Sequence, residues 1–364
     1  MDTTDKPDVN VRNEIEMRPE ELTFVPQAPG TVDAEKLEGS KSVSPLQAAV
    51  RRFWQDKRAV FFLAVILVIL IGSYVFPFIY VHLGPDIKGG ITGDKIVSSM
   101  VYHDPYQIDL LRSDIPGTLF PLGSQSLVHP LGTDAIGRDI MARLMAGVNI
   151  SIEVALMVEV FDIGLGILLG TLAGWFGGWF GMVLDRFTDV VFAFPGLLLI
   201  LLIGAAVGPI FDNIFKGQSN IFGRMLMLAL AIGLLSWPLM MRYVRGTTLE
   251  MKERQFIEAA RTVGTSTYNI LTKHIVPNLM SIVVVASTLN ILATIVGEAG
   301  ISLLGAGLKP PAASLGLMIA DATQKLYTSA TELIWPCVVL VILVISFSFV
   351  GDGVNDAFNP RKKD

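Results

Sequence analysis

The chain has one cysteine in 364 residues, Cys337, and it stands inside an apolar run. One thiol cannot form an intrachain disulfide, and without partners it excludes a Cys-rich metal site. Charge is also scarce. Asp, Glu, Lys and Arg make up 17% of residues, against about a quarter in soluble domains. The net charge of −5 gives no basis for nucleic-acid binding. No Gly-x-x-x-x-Gly-Lys-Ser/Thr phosphate loop occurs, and no His-Glu-x-x-His pair. His82, His103, His129 and His274 are scattered. A Gly-x-Ser-x-Gly elbow is missing too. An intramembrane enzyme is therefore disfavoured, and no catalytic residue or metal site is predicted. The N-terminus lacks a basic stretch followed by a short apolar core, so no cleavable signal peptide is expected.

What the chain has is apolar length. Hydrophobic residues make up 52%, and the mean hydropathy is +0.56. This composition predicts one all-α polytopic membrane domain of six spans, each needing about 20 apolar residues. Residues 1–44 are acidic and Pro-rich, without apolar period, and read as a disordered tail, with docking as an alternative role. Ser44-Pro45 opens a basic amphipathic helix over 45–58, lying in the membrane interface or simply flanking the first span. The spans are expected at about 59–81, 150–175, 188–207, 222–243, 279–304 and 333–350. The basic cluster before the first span places the N-terminus in the cytoplasm. Six spans return the basic C-terminal tail, 352–364, to the same side.

Between the first two spans lies a polar outer segment, 82–148. It ends in a Gly-rich turn, HPLGTDAIGRD at 129–139, leading into a helix capped by Asp134 or Asp139. Ile140, Leu144 and Met145 suit a membrane-surface position there. The second span holds Glu153, Glu159 and Asp162, costly inside a membrane and expected to face a bundle interior or water. Gly166, Gly170 and Gly174 recur every four residues, a smooth stripe for another helix. Pro195 falls inside the third span, and Gly297, Glu298 and Gly300 interrupt the fifth. A Gly/Pro-rich outer loop spans 305–332.

The polar island at 245–278 stands alone between apolar runs in the C-terminal half. Its pattern predicts a helix from Met251 to Val263, with Arg254 and Glu258 paired at i, i+4 and with Phe256, Ala260 and Val263 along one side. Gly264 fits the turn, Thr265 or Ser266 caps a second helix, and Pro277 ends it. Such a pair of helices is either a handle that transmits force to the flanking spans or a passive loop.

Here the residues resemble a family. EAARTVG at 258–264, followed by HIVPN at 274–278, resembles the signature loop of ABC importer permeases. HPLGTDAIGRD, AFPGLLLILLI at 193–203, GEAGISLLGAGLKPP at 297–311 and GDGVNDAFNP at 351–360 are similar to the peptide and nickel branch. The resemblance covers roughly residues 46–360. It implies the type I ABC importer permease fold and a C-type permease subunit for oligopeptides or dipeptides, with nickel or another small ligand as the alternative. It makes the island a coupling helix, with Glu258, Ala259, Ala260, Arg261, Gly264 and Pro277 in that role. Gly132, Thr133, Asp134, Gly137, Arg138 and Asp139 form the family's outer segment.

The resemblance further implies a second permease subunit, two cytoplasmic ATP-binding subunits and an extracytoplasmic binding protein in a bacterial cell membrane. ATP and Mg would belong to the ATPase partners, and this chain would carry no cofactor. Glu153, Glu159 and Asp162 depart from the family pattern. They either line the pathway, favouring a cationic peptide or its amino terminus, or lie near outer water or a basic partner residue. Glu298 matches the motif and suits a structural role at a kink. A gradient-driven secondary transporter is the rival from another class.

Overall fold

The computed structural model describes residues 45–83, 131–215, 219–325 and 330–358. The acidic tail, most of the outer segment and the basic residues at 361–363 lie outside these. Ten helices make up nearly all of the described residues: α1 Pro45–Gln55, α2 Lys57–Leu83, α3 Ile140–Phe176, α4 Gly178–Ala193, α5 Gly196–Ile214, α6 Ser219–Lys252, α7 Gln255–Thr262, α8 Thr267–Leu303, α9 Leu315–Thr323 and α10 Ala330–Phe358. Five of them, α2, α5, α6, α8 and α10, contain stretches long and apolar enough to cross a membrane. The expected second span lies in α3, which carries the three acids and packs against α2, α6, α8 and α9.

The helix bounds follow from local chemistry. Asp56 breaks the basic helix from the first span, its Oδ1 accepting from Arg58 N at 2.9 Å and Ala59 N at 3.4 Å. The basic helix therefore ends at Gln55. It lies against the end of α10, with Arg52 donating to the Ala357 carbonyl at 3.3 Å. Asp139, not Asp134, caps α3, accepting from Ala142 N at 2.8 Å. Because α3 starts at Ile140, residues 140–148 form no separate surface helix. Ile140 and Leu144 are buried with Leu315 and Met318 of α9.

Other expected boundaries move as well. The third span does not run through Pro195. Phe194 is extended, since the ring of a following proline disfavours helical backbone, and α5 restarts after Pro195. The fourth span continues to Lys252, well into the island. Pro277 does not end a helix. A single π turn at Leu271–Ile275 precedes it and joins the capped turn at Thr267 to the fifth span. A widened turn re-registers the ladder just where proline removes a donor. Gly297, Glu298 and Gly300 do not interrupt α8, which runs on to Leu303. The last helix extends to Phe358, past the expected end at 350.

The most extensive pairing joins α3 and α6 along the glycine stripe. A Cβ at Gly166 would meet Met240 Cγ at 2.4 Å, one at Gly170 the Met241 carbonyl oxygen at 2.7 Å, and one at Gly174 Thr248 Cβ at 2.6 Å. The backbone of α3 thus lies directly against side chains and carbonyls of α6 over two turns of helix, with no room for a methyl group. Gly170→Ala should lower stability by about 1–3 kcal/mol through overpacking, despite alanine's better helix propensity. Gly164→Ala, whose Cβ meets nothing within 4 Å, should raise it by about 0.5–1 kcal/mol. Opposite shifts of the two melting curves in detergent are the expected result. Equal shifts would refute the close approach.

Candidate functional site

The island is pinned to the bundle by one buried face. Ile257 of α7, together with Ile270, Ile275 and Leu279 of α8, sinks into a cluster with Trp175, Met240, Val244 and Met251. All four are essentially inaccessible. Trp175 sits at the end of α3 and is clasped from two sides. Lys252 Nζ donates to its carbonyl at 2.6 Å, satisfying an end-of-helix acceptor, and the Arg261 guanidinium lies 4.5 Å over its ring.

Gly264, at φ 82°, closes α7 through two bonds: Thr265 N donates to the Ala260 carbonyl at 3.0 Å and Gly264 N to that of Arg261 at 2.9 Å. Ser266, rather than Thr265, caps the next helix, accepting from Asn269 N at 3.4 Å. The expected pairing of Arg254 with Glu258 is not formed. Arg254 stands at the start of α7 and bonds Glu250 on the preceding helix instead.

The opposite face of the island is open. Glu258, Ala259, Arg261, Gly264 and Pro277 are exposed, and Ala260 is half-buried. Phe256, Val263 and Tyr268 are exposed at 46%, 85% and 75%. The surface around Ala259 is therefore small, apolar and anchored from behind.

The outer motif builds a tight turn against α9. Thr133 and Asp139 form an isolated antiparallel bridge. Asp134 Oδ1 accepts from Ile136 N at 3.1 Å and Arg138 N at 2.9 Å, while Oδ2 accepts from Arg138 Nε at 2.6 Å. Gly132 and Gly137 both take positive φ in this turn. Arg138 and Arg143 reach Asp321 of α9 at 3.6 and 3.4 Å. The motif thus ties α3 to α9.

Glu298 is a hub. It is 1% exposed. Ser302 and Ser314 donate to its Oε1 at 2.8 and 2.7 Å, and Ser151 donates to Oε2 at 3.2 Å. Ser314 in turn caps α9, accepting from Leu317 N at 3.0 Å. One carboxyl thereby joins α3, α8 and α9, although α8 has no break there.

Glu159 and Asp162 share one partner. Asn290 Nδ2 of α8 donates to Glu159 Oε2 at 2.9 Å and to Asp162 Oδ2 at 2.5 Å. Ser236 of α6 donates to Asp162 Oδ1 at 2.7 Å. Both acids are buried inside this chain. Glu153 is separate, half-buried, and accepts from Tyr74 Oη of α2 at 2.6 Å. Reading the sequence did not single out Trp175, Asn290, Ser236, Ser151 or Ser314. The only hint was polar residues standing inside apolar runs.

Residues 166–364 match the family described as the binding-protein-dependent transport system inner membrane component. The chain belongs to this family. Residues 44–88 also match the N-terminal transmembrane domain of oligopeptide transport permease C. Among similar proteins is the dipeptide transport system permease protein DppC of Lactococcus lactis subsp. cremoris. It is 31% identical over 355 residues, covering 92% of this chain and 96% of DppC. The oligopeptide transport system permease protein OppC of Mycobacterium tuberculosis is 31% identical, covering 86% and 94%. The glutathione transport system permease protein GsiD of Escherichia coli O6:K15:H31 is 35% identical, covering 65% and 74%. A solved structure of the inward-facing MetNI methionine ABC transporter aligns at a TM-score of 0.47 with 23% identity, covering 60% of this chain and 98% of that one.

Within this family member, the Glu298 hub predicts a stability effect. Glu298→Ala leaves three buried hydroxyls without their acceptor, and should cost about 1–3 kcal/mol in thermal or denaturant unfolding. Glu298→Gln keeps an acceptor oxygen and should cost less. Wild-type unfolding of Glu298→Ala would remove the hub from the fold's support.

Proposed function

We propose that this chain is a permease subunit of an ATP-driven importer of oligopeptides or dipeptides. It would form half of the translocation pathway. The observation that carries the coupling role is the island's two-sidedness. Its inner face is locked to α3, α6 and α8 around Trp175, and its outer face presents Glu258, Ala259 and apolar side chains to a partner. A solvated passive loop would not need Ile257, Ile270 and Ile275 fully buried. The peptide substrate is supported by the named relatives, which transport dipeptides, oligopeptides and glutathione.

In this reading the partners are a second permease, two cytoplasmic ATP-binding subunits that supply ATP and Mg, and an extracytoplasmic binding protein. Both termini and the island face the cytoplasm, consistent with the basic residues before the first span and after the last. The mechanism is alternating access. ATP binding closes the ATPase pair and draws the two coupling elements together. α7 moves with them, and because Arg261 and Lys252 clasp Trp175, α3 and α6 follow. The bundle opens outward to take substrate from the binding protein, and hydrolysis resets it. Each step selects a state that its ligand binds better.

Glu258→Lys or Ala259→Trp should abolish ATP-dependent peptide uptake while leaving the amount of protein in the membrane unchanged. Both positions are exposed, so folding tolerates them. Full uptake by these variants would place coupling elsewhere.

A further inference from the structure

The buried acids of α3 stand behind the polar end of a cavity that the coupling reading does not use. The cavity has a volume of about 300 Å³ and lies between α5, α6 and α8. Its walls are apolar, with Leu197, Ile200, Leu235 and Ile301 among them, and its polar lining includes Ser236 and Asn290. Leu197 at the rim is 44% exposed, so the cavity reaches the surface of the chain. Ser236 and Asn290 are also the two residues that hold Glu159 and Asp162. Asn290 turns its amide nitrogen to both carboxylates, which leaves its carbonyl oxygen as an acceptor.

Two further facts point to a missing positive charge. Among the described residues, no Lys, Arg or His acts on Glu159 or Asp162. The groups around them are uncharged: Ser236 from α6, and Ser287 and Asn290 from α8. Glu159 Oε1 has no partner beyond the Ser287 hydroxyl beside it, and the two residues are only 5% and 8% exposed. If both acids ionise, two carboxylates tied to one amide repel each other in a low-dielectric interior, and a nearby cation is what relieves that repulsion. Apolar walls focus their field into the cavity.

We propose that this cavity is a specificity site for a primary ammonium group on the transported substrate, with Glu159 and Asp162 supplying the attraction through Ser236 and Asn290. The proposal deepens the peptide-import reading and rests on it for the identity of the substrate. A peptide offers two sources of this group, its amino terminus and a lysine side chain.

The test begins with charge selectivity in the cavity, which is independent of transport. In the assembled transporter, Cys337→Ser removes the native thiol and Ala293→Cys places one on the exposed cavity lining. Cationic and anionic methanethiosulfonate reagents are then compared, each normalised to its rate with a free thiol. The cationic reagent should react about tenfold faster, ~1.4 kcal/mol in favour of positive charge. Glu159→Gln with Asp162→Asn should return the ratio to near one. A ratio near one with the native acids overturns the proposal, and that measurement stands even if the neutralised variant does not assemble.

Peptide uptake then separates the sources. Glu159→Gln with Asp162→Asn should lower uptake of Ala-Lys-Ala relative to Ala-Glu-Ala if the side chain is read. If the amino terminus is read, it should lower all free-amine peptides relative to a desamino analogue. Unchanged ratios across these peptides also overturn the proposal. Failure of the native complex to take up any peptide sinks the substrate reading instead and leaves the thiol ratio as it is.

Discussion

The contact between α3 and α6 at Gly166, Gly170 and Gly174 holds the rest of the bundle in place. Lipid gives helices no hydrophobic reason to associate, so close van der Waals approach must supply it. Here the approach reaches backbone against side chain and carbonyl, with Met240, Met241, Val244 and Thr248 seated directly on the stripe. That pairing bears directly on the acid pair and on the anchor of the island. Above the stripe it sets Asp162 opposite Ser236. Below it, Trp175 comes within reach of Lys252 and Arg261. A sideways step of either helix would break both arrangements together.

Polar groups inside the bundle follow two designs. Glu298 is surrounded by hydroxyls from three helices and both of its oxygens are used. Such a satisfied network fixes how α3, α8 and α9 meet and offers nothing to a ligand. The Glu159–Asp162 pair is different. Two acids draw on one amide and two hydroxyls, all of them neutral. Buried charges are normally paired, so acids held only by neutral groups behind a cavity's polar lining gain from a visiting cation. The contrast, with both acids in the same bundle, separates a structural carboxyl from a candidate selective one.

Several features were legible in the sequence because one local rule decided them. The glycine spacing marked the close helix pair. Gly264 marked the turn, and a lone polar stretch between apolar runs marked the island. The misplaced boundaries had competing causes. Pro195 looked tolerable within a span, yet the constraint it places on Phe194 splits α4 from α5. Pro277 looked like a stop, but a π turn absorbed it. Lys252 and Glu250 read as island residues, but α6 carries them as its own last turn. The partners of the acids were hidden for another reason. Asn290 and Ser236 lie 128 and 74 positions from Asp162, and nothing periodic links residues that far apart.

The geometry also bears on how work done at the island can reach the substrate. Asp162 and Trp175 lie on the same helix, thirteen residues apart, which is about 20 Å at 1.5 Å per residue. Asn290 lies on α8, whose first turns carry Ile270 and Ile275 into the cluster around Trp175. α6 supplies Ser236 to the acids and Lys252 to the Trp175 carbonyl. The three helices that hold the island are therefore the three that hold the acid pair. If the island couples to a partner as proposed, a tilt of α7 would act on the same three helices at both ends. In the proposed cycle, unequal movement of α3 and α8 at Trp175 would change the distance between Asn290 and the carboxyl groups. A site whose charge is exposed in one state and covered in the other binds its substrate differently in each. That difference in affinity is what an importer requires to release what it has taken up.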